Sequence, residues 1–125
     1  MTNKEIWDEA EKRLLELKDN WYSTIGYEDG FSYTPSLLNR FGRLFIDNWN
    51  NKYNPAIVPT VEKDVIAIEW DNEEDDCTLY VDLSTLKAEF YPDMTETCRE
   101  LDLSSGSMWA ILFGVKRINM EDLAL

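Results

Sequence analysis

Ile6, Trp7, Ala10, Leu14 and Leu17 recur every three or four positions, which places them on one stripe of a helix with charges of both signs opposite. Thr2-Asn3-Lys4-Glu5 ahead of the stripe matches a capping box, in which the threonine hydroxyl and the glutamate carboxylate each satisfy a backbone N–H. This pattern predicts a helix to about Asn20. From Trp21 to Tyr33 (WYSTIGYEDGFSY) neither helical nor strand period is sustained, and Gly26 and Gly30 punctuate an ordered loop pinned by its rings. Thr34-Pro35 then offers an N-cap followed by proline at the first helical position, and Leu37, Leu38, Phe41, Leu44, Phe45 and Trp49 continue a second helical face. Gly42 costs that helix about 1 kcal/mol relative to alanine, and a close approach by a neighbouring element would account for it.

After Asn50-Asn51 and the prolines at 55 and 59, the period changes from 3.6 to 2, which marks entry into a sheet. Ile66, Ile68 and Trp70 share one face of a strand. Cys77, Leu79, Val81 and Leu83 share one face of the next, with Thr78, Tyr80 and Asp82 pointing the other way. Leu86, Ala88 and Phe90 mark a third strand, and Leu101 and Leu103 suggest a fourth. Short links between consecutive strands predict an antiparallel meander with one buried face. Ser104 to Ser107 read as the cap of a closing helix from about Met108 to Asn119, with Trp109, Leu112 and Phe113 facing inward. The expected class is α+β: two N-terminal helices, a meander of three to four strands and a C-terminal helix. At 125 residues and 44% hydrophobic, the chain suits a single domain around one core.

Charge adds what periodicity does not. The net −13 is uneven: residues 62–102 carry fourteen acids against three bases, so that segment alone holds −11. Its densest part is WDNEEDD, residues 70–76, at the tip of the first predicted hairpin. Such a surface attracts basic partners and argues against nucleic acid or anionic membrane, both of which bind through clustered Lys and Arg. No signal peptide pattern opens the chain, and the longest apolar run, Met108 to Val115, is far below the roughly 20 residues of a membrane helix. A cytoplasmic location is the expectation, and Cys77 and Cys98 are expected as free thiols rather than a disulfide.

The chain has no histidine. That removes Ser-His-Asp and Cys-His nucleophile systems, histidine general bases and the histidine-based zinc and iron sites. Neither GxxxxGK[ST] nor GxGxxG occurs among its five glycines. Carboxylate-only chemistry stays open, since glycosidases need two acids and magnesium nucleases two or three with a lysine. Glu69 and Asp82, on adjacent predicted strands, are the pair to consider. Asp71 to Asp76 invites a calcium reading, but Asp76 stands where the EF-hand loop needs glycine, so no metal site is assigned. A solvated turn whose charges discourage edge pairing explains the same residues. Lys116-Arg117 suits the end of the last helix, and Arg40 and Arg43 are expected to pair with nearby acids.

Trp21, Gly26-Tyr27, Pro35-Ser36, Pro59-Thr60, Ile66-Ala67-Ile68-Glu69-Trp70 and Leu79-Tyr80-Val81-Asp82-Leu83 together resemble a group of small bacterial and phage proteins. There a W-D-G-Y-G-like loop precedes a helix, and a P-T-x-D-G-x-I-x-L-E-W strand opens a short meander. The resemblance spans about residues 14 to 91. The loop here is expanded, and the glycine expected before the strand is replaced around Asp64-Val65. It implies the same fold order and a bacterial or phage origin, and brings no activity, cofactor or catalytic residue.

The expectation that follows is a non-enzymatic, acidic protein-binding module with no cofactor. Its form would be an inhibitor of the antitoxin, immunity-protein or phage anti-defence type, including an anti-CRISPR protein or DNA mimic, which occupies a basic, nucleic-acid-binding surface of its partner. Glu69, Asp71, Glu73, Glu74, Asp75, Asp76, Asp82 and Tyr80 would form the contact, with Trp21, Tyr22, Tyr27 and Phe31 as aromatic anchors. The alternatives are a carboxylate-dependent hydrolase or nuclease, and a self-associating structural domain whose charge serves solubility.

Overall fold

A computed structural model describes residues 1–17, 33–71, 76–92 and 98–114. The elements run α1 (Asn3–Leu15), α2 (Pro35–Asn48), β1 (Ala56–Pro59), β2 (Val65–Asp71), β3 (Asp76–Asp82), β4 (Lys87–Tyr91), β5 (Arg99–Asp102) and α3 (Gly106–Gly114). The class is α+β as expected, but the meander has five strands among the described residues rather than three to four. They lie in sequence order, β1-β2-β3-β4-β5, every neighbour antiparallel. The extra strand is β1, whose four residues AIVP follow Pro55 and end on Pro59, and show too little alternation to read as a strand. The acidic hairpin is therefore the second of the sheet.

The capping box of α1 is present: the Glu5 amide donates to Thr2 Oγ1 at 3.1 Å, and the Thr2 amide donates to the Glu5 carboxylate at 3.1 Å. The helix stops at Leu15, short of Asn20. Leu14 is its last buried residue, and the Leu17 amide turns back to the Leu14 carbonyl, tightening the end. The expected end of α3 near Asn119 lies outside the described residues.

Thr34 precedes α2, but its hydroxyl does not cap the helix. It donates instead to Asp64 Oδ2 at 2.8 Å, while the Thr34 amide donates to Asp64 Oδ1 at 2.8 Å. Asp64 has φ 57°, a conformation that favours glycine, and its carbonyl accepts from the Leu83 amide at 2.8 Å. One residue thus ties the start of α2, the entry to β2 and the end of β3. Leu86, expected inside the third strand, is in the turn before β4 at φ 64° with its side chain still buried. Arg40 pairs with no acid among the described residues. Its guanidinium donates to the Leu83 and Ser84 carbonyls at 2.6 and 2.9 Å, clamping α2 onto the β3–β4 turn.

The helices and one sheet face enclose a core rich in rings. Trp7 of α1 lies against Phe41 and Phe45 of α2, which in turn meet Trp109 of α3. Trp49 carries the chain of rings down to Trp70 of β2, which stacks on Phe90 of β4 and also meets Phe113. Gly42 has the reason the sequence asked for: a Cβ there would fall 2.0 Å from Trp7 Nε1, so only glycine lets α1 seat its indole against α2. Beneath the rings, Ile66, Ile68, Cys77, Leu79 and Val81 are fully buried. Each such side chain contributes about 1.5–3 kcal/mol relative to exposure. The N–H groups of Trp7, Trp49 and Trp109 donate to Glu11, the Tyr53 carbonyl and the Leu103 carbonyl. The buried Nε1 of Trp70 has no hydrogen-bond partner among the described residues.

Candidate functional site on the open face of the sheet

The period of 2 that buries Leu79 and Val81 sends Thr78, Tyr80 and Asp82 to the opposite side. Register then decides which side chains become neighbours. Val58, Ala67, Tyr80, Glu89 and Glu100 form one row across all five strands. A second row runs Ala56, Glu69, Thr78 and Tyr91, and a third sets Lys87 against Asp102 beside Asp82 and Val65. In the first row the β1–β2 side is apolar and the β4–β5 side acidic. A shallow concavity of about 840 Å³ lies along it, with Val65, Tyr80, Asp82, Glu89 and Glu100 among its walls.

Tyr80 is 41% exposed, and its ring meets that of Tyr91 edge-on at 5.8 Å. The Tyr91 hydroxyl donates to Glu89 Oε2 at 3.3 Å. Desolvation pushes the Tyr91 phenol up, and the neighbouring Cys98 and Glu89 add to the shift. Asp82 and Asp102 do more local work: in the repeated triplet Asp-Leu-Ser, each accepts both the hydroxyl (2.6 Å) and the amide of the serine two residues on. The Ser84 hydroxyl and the Ser84 and Thr85 amides hold the Asp82 carboxyl below the usual range. The Ser104 hydroxyl and amide, with Lys87 nearby, do the same for Asp102. Ser104 is thereby engaged with Asp102 rather than with α3, and Ser105 and Ser107 share a hydroxyl hydrogen bond.

The structure brings Tyr80 and Asp82 onto this face, with Glu69 farther along it. Asp71 and Asp76 stand directly opposite each other, closing the acidic hairpin. Glu73, Glu74 and Asp75 between them, and the aromatic residues Trp21, Tyr22, Tyr27 and Phe31, lie outside the described residues. Glu69 and Asp82 do not converge. Glu69 is opposite Thr78 while Asp82 is opposite Val65, so four residues separate them along β2. At about 3.3 Å per residue that is roughly 13 Å, beyond the roughly 5–9.5 Å of paired glycosidase carboxylates. Among the described residues no group of three or more acids or cysteines is arranged to hold a metal ion, and no helix is long and apolar enough to cross a membrane. Cys77 is buried and Cys98 exposed, neither in a disulfide; Cys77 Sγ donates to the Pro92 carbonyl.

Charge density along the chain pointed to the hairpin and passed over Glu89, Glu100 and Tyr91. The signal that locates them is the alternation Lys87-Ala88-Glu89-Phe90-Tyr91, but only the pairing register puts Glu89 between Tyr80 and Glu100. Comparison with family models, with curated proteins and with solved structures gave no match.

Proposed function

We propose that the protein is a non-enzymatic binding module whose acidic meander occupies a basic surface on a partner protein. The observation that carries this reading is the composition of the exposed sheet face. Glu69, Asp82, Glu89, Glu100 and Asp102 stand on it against a single lysine among the described residues, Lys87. A fold that needed this face only for solubility would gain from mixed charge, since like charges directly opposite one another cost stability. A cationic partner surface offsets that cost and steers association. Where the partner surface also binds nucleic acid, the carboxylates stand in for phosphates and the protein acts as an inhibitor of the DNA-mimic type.

The test is capture of partners from host lysate at low salt, eluted by rising salt in parallel with a chain in which Glu73, Glu74, Asp75, Asp76, Glu89 and Glu100 are all reversed to Lys. Expected is a basic protein held by the native chain, released steeply by salt and by duplex DNA, and absent from the reversed chain. A partner retained equally by both chains overturns the reading.

A further inference from the structure

The row Val58-Ala67-Tyr80-Glu89-Glu100 contains a conflict. Glu89 and Glu100 are directly opposite on β4 and β5, where side chains approach within about 5 Å, and the row holds no lysine or arginine. Immediately beside Glu89 in the same row is Tyr80, the exposed aromatic ring of the described residues, braced edge-on by Tyr91. The concavity passes over all three residues. Glu89 accepts from the Tyr91 hydroxyl, and Lys87, which also lines the concavity, stands against Asp102 in the next row. Two carboxylates with no cation in their own row, next to an accessible π face, form a receptor for a cation that carries planar, forked donors.

We propose, building on the reading above, that this row is the seat of an arginine side chain from the partner protein. The guanidinium donates to Glu89 on one edge and Glu100 on the other while a face lies on the Tyr80 ring. A lysine ammonium satisfies one carboxylate well but cannot bridge two and stack at once, so arginine is preferred. Charge complementarity selects a basic protein segment as the occupant; a second copy of this chain, at net −13, is repelled.

The experiment titrates capped hexa-arginine and hexa-lysine peptides into the full-length chain, its E89Q/E100Q and Tyr80→Leu variants, and a hairpin variant neutralised at Glu73, Glu74, Asp75 and Asp76. Expected is tighter binding of hexa-arginine, weakened about tenfold by E89Q/E100Q and less by the hairpin variant, although the latter loses more charge. Tyr80→Leu, which changes no charge, should abolish the preference for arginine over lysine. Binding weakened only by the hairpin variant overturns the arginine seat and leaves the broader reading standing. No binding of either peptide to the native chain at low salt overturns both. For each of the three variants, an unchanged urea midpoint separates lost binding from lost folding.

Discussion

Leu79 and Tyr80 are adjacent in β3, yet one is fully buried beneath the aromatic layer and the other is among the most exposed rings of the described residues. The contrast extends across the sheet. On the covered face, side chains are chosen by volume, and Trp70 there meets the rings of Trp49 and Phe113; on the open face they are chosen by charge, and neighbours such as Glu89 and Glu100 oppose each other at a cost to the fold. The first face accounts for why the chain folds. The second is the face on which the proposed partner would sit.

Truncation at the covered face should have the largest effect. Leu79→Ala is expected to lose about 2–5 kcal/mol in urea denaturation, whereas Tyr80→Ala stays within about 0.5 kcal/mol; similar losses at both positions would break the distinction. Gly42→Ala drives a methyl group into the Trp7 indole and should cost about 1–3 kcal/mol, with the near-ultraviolet signal of the ring cluster reporting the displacement.

Acid should reveal a smaller dependence on the open side. Because hydrogen bonds to Ser84 and Thr85 depress the folded-state pKa of Asp82, its contribution is complete above the unfolded value and is lost as pH falls through the folded one. The urea midpoint of the native chain should therefore decline below about pH 4 more steeply than that of Asp82→Asn. Smallest of all, and opposite in sign, Glu89→Gln should raise stability by up to about 0.5 kcal/mol while weakening hexa-arginine binding. A loss of stability there would mean that Glu89 supports the fold.

Much of this contrast is legible in the sequence. Strict alternation from Ile66 to Phe90 assigns both faces of β2, β3 and β4, and the i, i+3, i+4 stripes assign α1 and α2. What stays hidden depends on partners distant along the chain. Thr34 looks like an N-cap until Asp64, thirty residues on, claims its hydroxyl. Arg40 looks like half of an ion pair until the turn at Leu83 and Ser84 offers carbonyls. Leu86 gives no hint of its positive φ, and at Asp64 the one hint is the glycine that the resemblance expects there. The candidate arginine seat is hidden for the same reason: Tyr80, Glu89 and Glu100 belong to three strands, and only register makes them neighbours.

The sequential order of the strands carries a consequence for how the molecule assembles. Each strand pairs with the one just before and just after it in the chain, so every sheet contact closes a short loop, and loop-closure entropy rises with length. The meander can zip from any of its hairpins, while α1 must reach across the sequence to α2 and β1. Hairpin closure occurs within microseconds, so the docking of α1, with Trp7 entering the space above Gly42, is the natural late event in refolding.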